Sequence, residues 1–486
     1  MVLTTEKVRP KINRFALERG LAELQYVPGV AHMAPHLSEF LATRDDTSVA
    51  QMRPHLLARE WKSEITDALR LCLYATKAGL LNLNWTMLCP NCRIGKSETG
   101  SLRDLQEKVH CDLCGIEYGV NFDRFVELRF HVHPAIRTAQ ASTYCIGGPA
   151  ITPHVWVQKI VPPGETVGVP FLPSRAAMRV RVLRQNFVAS FEAGAGDAAV
   201  PLVLMPGGWS RAVYPLPQDG EELCVVNQSG EEIVVALEQV AWDDDAVTAS
   251  QVTTMQEFRD LFSSEVLAPG HQVGVESLTV FFSDLRNSTT LYEHAGDAPA
   301  YARVRQHFQY LRERITAHGG GVIKTIGDAA MATFYAPEDA LRAALAIQGE
   351  IDELNAGCAP GQQILLRIGL HHGPAIAATS NDRLDYFGAT VNIAARVESA
   401  SLGGDIVLTS ACLAQPQVRE ILRELEENGK GEVKAFQAQL KGIAEVLTLH
   451  RVVLSADQPA QTALEAAEAE RRRTERRAVE RRKLEI

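Results

Sequence analysis

The sequence predicts a multidomain chain. It ends in an α/β (α+β) domain, preceded by a helical region with paired cysteines and by an all-β, sandwich-like domain. Three observations carry this reading. The chain has 486 residues, enough for about three domains at roughly 150 residues each. Its texture changes twice, from helical periodicity to short alternating runs between Pro/Gly turns, and then to strands alternating with helices. Finally, 46% of its residues are hydrophobic, which supports buried cores and speaks against wholesale disorder.

The first region is drawn as residues 1–142, with residues 5–85 expected to be helical. The stretch Trp61–Tyr74 spaces its apolar residues at helical intervals, and Gly79 then stops it. Residues 143–245 carry alternating runs such as Met178–Leu183 and Glu232–Leu237, separated by turns such as Val161-Pro162-Pro163-Gly164. That pattern suits a β-sandwich. Residues 246–274 are read as a linker, with one connecting helix over 250–267 ending before Pro269-Gly270.

Residues 275–454 alternate strand and helix. Leu278–Phe282 is strand-like, 297–317 is an amphipathic helix, and Val322–Tyr335 is a hairpin with Gly327-Asp328 near its turn. Glu338–Leu354 is expected as helix, Leu365–Ala377 as extended chain, Thr390–Ala400 as helix and Ile406–Leu408 as strand. The order suits helices packed around one sheet. Residues 455–486 form a charged tail; from Glu465 onward it holds eight Lys/Arg and six Asp/Glu, a pattern of solvated helix.

Composition narrows the function classes. There are 49 Lys+Arg against 59 Asp+Glu, a formal charge of -10, whereas nucleic-acid coat proteins usually carry a basic surplus. No apolar run is long enough to span a membrane, and the first residues lack the apolar core of a secretory signal. A cytoplasmic location is expected.

Nine cysteines, an odd number in so long a chain, do not make a disulfide scaffold. Four of them form Cys89-Pro90-Asn91-Cys92 and Cys111-Asp112-Leu113-Cys114, separated by 18 residues. Two such knuckles offer four thiolates in a tetrahedron, which suits one structural Zn²⁺. A closed site of this kind leaves no position for water, so it supports folding and not catalysis. His110, His131 and His133 are read as ordinary histidines, not ligands. Charges around the pairs are mixed, which argues against a nucleic-acid-binding ribbon.

Chemistry concentrates in three blocks. Phe281-Phe282-Ser283-Asp284-Leu285 places Asp284 directly after an apolar strand. Lys324-Thr325-Ile326-Gly327-Asp328 places Asp328 at a hairpin tip. Carboxylates on adjacent strands could jointly hold hard cations. The third block is Leu384-Asp385-Tyr386-Phe387-Gly388-Ala389-Thr390-Val391-Asn392-Ile393-Ala394-Ala395-Arg396. If Thr390 caps a helix, Asn392 and Arg396 share one face about a turn apart and present an amide and a guanidinium to one anionic ligand.

These blocks resemble the class III nucleotidyl (adenylate/guanylate) cyclase catalytic domain, over residues 275–454. Arg367-Ile368-Gly369-Leu370-His371-His372-Gly373 and Leu440-Lys441-Gly442-Ile443 look like further segments of that family. The resemblance implies a ferredoxin-like βαββαβ module working as a head-to-tail homodimer with shared active sites. It implies that Asp284, Asp328 and the Leu285 carbonyl hold two Mg²⁺ (or Mn²⁺) ions, that Asn392 orients the ribose and that Arg396 stabilises the reacting phosphate. Lys324 and Asp385 match a base-selecting pair, and Lys441 a triphosphate contact. Residues 1–245 look like a regulatory region answering to an unknown ligand or protein.

The base-selecting pair can be weighed on its own chemistry. A lysine only donates and an ionised aspartate only accepts, which complements the N1 acceptor and N6 donor of adenine. Guanine reverses the pattern, so ATP is expected as substrate, ahead of GTP or a pyrimidine nucleotide. A non-catalytic cyclase-like scaffold is disfavoured, because Asp284, Asp328, Asn392 and Arg396 are all present. Asn287 and Ala329 depart from positions where the family often has glycine.

Overall fold

The computed structural model describes residues 11–455, apart from 113, 140–153, 172–176, 184, 186, 193–199, 217–221, 241–245, 287, 359–362 and 444. The expectations for Asn287 and the charged tail fall outside the described residues. The chain divides into two compact units, Met1–Thr248 and Ala249–Ile486.

The first unit begins with helices, among them Arg14–Leu24, Ala34–Thr43, Pro54–Trp61 and Ile65–Lys77. The last of these buries Leu69, Leu71, Cys72 and Leu73. The expectation of helix up to residue 85 is corrected here: Leu81–Leu88 is a strand. Gly79, at φ +71, ends the helix, and the following Leu–Asn–Leu–Asn–Trp alternation suits a pleat. This strand is the middle of a three-stranded sheet between Gly95–Thr99 and Val126–Val132. The small hairpin Lys108–Cys111/Ile116–Gly119 lies between them in sequence.

The rest of the unit is β-rich. A five-stranded sheet includes Val155–Val161, Met178–Val182 and Ile233–Gln239; a four-stranded sheet includes Leu202–Met205 and Glu222–Asn227. Residues from both sheets share one core, in which Val180, Val235 and Leu237 meet Leu204 and Val225. The alternating runs of the sequence supply these inward positions.

The second unit opens with α1 (Ala249–Thr253) and α2 (Gln256–Leu261). One continuous helix was the expectation. The Thr253 and Thr254 hydroxyls instead bond the carbonyls of Ala249 and Gln251, and Met255 takes extended backbone, at φ -78 and ψ 134. The sheet comprises β1 (Gln272–Leu285), β2 (Gly321–Ile326), β3 (Ala329–Phe334), β4 (Leu366–Ser380), β5 (Arg383–Phe387), β6 (Asp405–Thr409), β7 (Gly431–Gln439) and β8 (Val446–Leu454). Their order is β2-β3-β1-β4-β6-β8-β7, with β5 paired to β4. Only the β4–β6 pairing is parallel among them.

Helices α3 (Ser288–Ala295), α4 (Asp297–Ala317), α5 (Pro337–Gly349), α6 (Ala389–Glu398) and α7 (Pro416–Glu427) complete the unit. The helix expected over Glu338–Leu354 breaks at Gly349-Glu350, and a separate short helix runs over Ile351–Asn355. The core joins β1, β3, β4 and β6 to α4, α5 and α7 through residues such as Phe281, Leu311, Phe334, Leu341, Leu370 and Leu422.

Helix α6 lies so close to β4 that a Cβ at Gly369 would stand 2.1 Å from the Glu398 nitrogen and 2.4 Å from its Cα. Backbone cannot yield as a side-chain tip can, so only glycine permits this approach. Gly369→Ala should therefore destabilise the second unit by at least about 2 kcal/mol, read as a lower urea midpoint by circular dichroism; an unchanged midpoint would contradict the packing described.

Candidate functional site

The two strand-end carboxylates come together because β1 and β3 pair antiparallel. Ser283 opposes Ala330, so Asp284 arrives beside the Asp328–Ala329 end of the hairpin. Gly327, at φ +66, makes that turn and sets Asp328 at its tip. Burial raises the pKa of Asp284, and the charge of Asp328 raises it further, while Arg367 pulls it down. Arg367 faces Asp284 directly across the β1–β4 pairing. Asp328 Oδ2 is buried and finds no hydrogen-bond partner among the described residues. A pair of crowded carboxylates with an unsatisfied oxygen fits a hard divalent cation, which would supply the missing partner and cancel the repulsion. The Leu285 side chain is buried in the core, leaving its carbonyl as the atom of interest.

Glu398, on α6, is a residue that sequence reasoning passed over. It is 8% exposed, and its Oε1 lacks a partner among the described residues. Burial pushes its pKa up to about 7, helped by the charges of Asp284 and Asp328 and opposed by Arg367. Its position two residues after Arg396 was the only hint, since nothing in the sequence shows that α6 and β4 touch at Gly369.

The Lys324 Nζ donates to Asp385 Oδ2 at 2.6 Å, joining β2 to β5. Asp385 is 7% exposed, and its Oδ1 accepts from the Tyr386 amide at 2.8 Å. The Lys324 ammonium lies 5.5 Å from the centre of the Phe387 ring. Behind this pair stand α1 and α2. Tyr386 Oη and Thr253 Oγ1 are 2.8 Å apart, Arg259 donates to the Leu384 carbonyl at 2.6 Å, and the Val322 amide donates to Gln256 Oε1 at 2.8 Å. A cavity of about 460 Å³ opens here, its lining including Arg259, Phe308, Arg312, Lys324 and Leu384.

Asn392 and Arg396 are both exposed on α6. Thr390 does not cap that helix. Gly388 occupies the cap position, and the Thr390 hydroxyl donates to the Pro374 carbonyl. The hydroxyl is thereby spent on tying α6 to β4. Lys441 is exposed in the turn between β7 and β8, and no described contact brings it to the other candidates.

The four cysteines form a separate centre in the first unit. All are buried, and their sulfurs lie within 4.8 Å of one another. Cys92 Sγ and Cys111 Sγ are 3.7 Å apart, close to the ~3.8 Å edge of a tetrahedron with zinc–sulfur bonds of about 2.3 Å. Hydrogen bonding from Cys114 and Cys92 pulls the Cys89 thiol far below its usual pKa. Burial opposes the charge of Lys96, yet the neighbouring Cys111 and Cys92 raise its pKa overall. These donors fit Zn²⁺. His110 stands outside the cluster, 3.6 Å from Asp112.

A pH dependence follows for the carboxylate cluster. The folded pKa of Glu398 lies near 7, above its ordinary 4.5. The folded state thus holds the extra proton, and this contribution to stability is full below about pH 4.5 and lost as pH rises through 7. Asp284 acts in the same direction. Glu398→Gln should flatten the fall in urea midpoint between about pH 5 and about pH 8 in a metal chelator; a wild-type slope in the variant would rule out Glu398 as a source.

Residues 272–449 match the family described as adenylate and guanylate cyclase catalytic domain, and residues 21–144 match a family of unknown function, DUF5939. The chain is 31% identical over 172 residues to an adenylate cyclase of Lachancea kluyveri, covering 31% of this chain and 9% of that protein. It is 30% identical over 193 residues to adenylate cyclase 1 of Rhizobium meliloti, covering 37% and 28%. Guanylate cyclase 2G of Mus musculus is 30% identical over 153 residues, covering 29% and 14%. The chain spans less than a third of the length of each of these relatives. Among solved structures, the adenylyl cyclase CyaB from P. aeruginosa is 22% identical with a TM-score of 0.32, covering 38% of this chain and 96% of that one. No helix among the described residues is long and apolar enough to cross a membrane. Residues 272–449 are therefore a class III adenylate/guanylate cyclase catalytic domain, carried behind a region of the DUF5939 family.

Proposed function

We propose that this protein is an adenylate cyclase, converting ATP to 3′,5′-cyclic AMP and pyrophosphate at composite sites of a homodimer. The observation that carries the choice of base is the Lys324–Asp385 pair, a donor beside an acceptor at 2.6 Å. An adenine edge entering between them gives each a partner of the right kind, with N1 accepting from Lys324 and N6 donating to Asp385. Guanine would leave both mismatched, at about 1–3 kcal/mol for each unpaired buried group.

The other roles are those that the resemblance to the class III family implies. Mg²⁺ or Mn²⁺ ions held by Asp284, Asp328 and the Leu285 carbonyl would lower the pKa of the ribose 3′-hydroxyl and neutralise the triphosphate. Asn392 orients the ribose. Arg396, exposed one turn along α6, meets the charge growing on the α-phosphate, and Lys441 contacts the triphosphate. A second copy of the chain brings the Asn392/Arg396 face to the carboxylate pair. Exposed Ile326, Ile376 and Phe387, at 54%, 40% and 41%, offer apolar surface for that association.

The region before the catalytic domain is proposed to regulate it in response to a ligand or protein partner. Helices α1 and α2 support this, because their bonds to Leu384, Tyr386 and Val322 reach the strands that hold the base-reading pair. A shift of those helices moves Asp385 relative to Lys324.

Two measurements test the reading. Purified protein incubated with each of the four ribonucleoside triphosphates and Mn²⁺ should give cyclic AMP as the main product by chromatography; faster turnover of GTP would transfer the assignment to a guanylate cyclase. Asp284→Ala and Arg396→Ala chains, each with turnover reduced ~10²-fold or more, should regain partial activity on mixing, since one composite site per heterodimer stays intact. Verified heterodimers without activity would exclude the shared site.

A further inference from the structure

The paired-cysteine ribbon and the sandwich meet, within the first unit, across a seam of buried charge. Arg181 is 2% exposed, and Glu238, on the neighbouring strand, is fully buried. Arg181 Nε donates to Glu238 Oε1 at 2.9 Å, and Arg179 Nε donates to Glu238 Oε2 at 2.9 Å. One carboxylate thus serves two guanidinium groups. Both arginines also reach across to the ribbon. Arg179 Nη2 donates at 2.7 Å to the carbonyl of Asn91, between the first two cysteines, and Arg181 Nη1 lies 3.7 Å from Cys114 Sγ. From the other side, Arg93 donates to the carbonyls of Gln239 and Val240 at 2.9 and 2.8 Å.

Charge bears on the state of the cysteines. A buried cation without a counter-charge costs several kcal/mol, and Glu238 neutralises only one of the two guanidinium groups that it binds. Four neutral thiols, or two disulfides, would leave the buried Arg181 sharing that single carboxylate with the partly exposed Arg179, at 2% and 14% side-chain exposure. Zn²⁺ with four thiolates carries a net charge of about -2 and sits where Arg181 points.

We propose that the four-cysteine centre is a joint, in which Arg181, fixed by Glu238, donates to the metal-bound Cys114 thiolate and the negative thiolate shell holds the sandwich sheet on the ribbon. The centre then does more than fold its own knuckles. Its occupancy is transmitted to Met178–Val182 and Ile233–Gln239, the strands that carry Arg179, Arg181 and Glu238. Outer-shell donors of this kind hold a ligand in place and slow its loss. The inference rests on the four-thiolate reading and concerns neither nucleotide nor catalysis.

The test uses the full-length protein. Its zinc content is measured first, and amide hydrogen exchange is then followed before chelation, after chelation and after return of ZnCl₂. The expected result is stoichiometric zinc and reversible acceleration of exchange in Met178–Val182 and Ile233–Gln239 along with the ribbon. The second sheet, at Leu202–Met205 and Glu222–Asn227, should stay unchanged. Arg181→Met should bind zinc but release it to a chelator about 10-fold faster. Exchange that changes in the ribbon alone, or evenly across both sheets, would overturn the joint, as would wild-type release from the variant. Protein that neither contains nor binds zinc would remove the four-thiolate reading as well. Should Arg181→Met fail to fold, the chelation series on the unaltered chain decides the matter.

Discussion

Two carboxylates brought side by side where antiparallel strands end repel one another, and the second unit is built to hold them there. Asp284 lies near the end of β1, whose residues Val280, Phe281 and Phe282 are buried, so its position is set by core packing and not by its own preference. Asp328 sits on a turn that Gly327 closes. Burial and the facing charge of Asp328 both raise the Asp284 pKa. A divalent cation bound there would remove the repulsion and satisfy the orphaned Asp328 oxygen in one step.

The same cluster explains why α6 must lie close to β4. With Gly369 as the contact point, the helix brings Glu398 toward the carboxylates while its other face carries Asn392 and Arg396 outward. One helix therefore serves two directions: a buried acid facing its own sheet and an exposed polar face carrying Asn392 and Arg396. The Thr390 bond to Pro374 fixes the helix start, so the separation of these faces is set by backbone geometry. Arg367, opposite Asp284, tempers the excess negative charge without cancelling it.

How much of this was legible in the sequence depends on the range of the interaction. The hairpin turn, the strand before Asp284 and the long helix at 297–317 follow from local periodicity and turn chemistry, which a linear reading captures. The paired cysteines were visible for the same reason: their spacing is itself the signal. Helix breaks were missed where side-chain hydroxyls compete with the backbone, as at Thr253 and Thr254, or where glycine interrupts a periodic run, as at Gly349. The misread strand at Leu81–Leu88 shows apolar residues continuing past a glycine stop with a change of period. Glu398 and Arg259 were missed because their importance comes wholly from partners distant in sequence, and a buried glutamate has no mark that distinguishes it from a solvated one.

The seam around Arg181 shows the same physics with the opposite sign. At the carboxylate cluster the protein accumulates negative charge that a cation must answer; at the ribbon it accumulates guanidinium groups that a thiolate centre must answer. In both places the protein's own side chains leave the balance incomplete, and in both the missing charge is of the kind a metal site provides, as a cation in one and as an anionic metal–thiolate complex in the other. The cost of burying an unbalanced charge would thus couple each ion to the fold around it. On the proposed reading, zinc at the ribbon would help to hold the sandwich in place, just as a cation at Asp284 and Asp328 would relieve the repulsion between them.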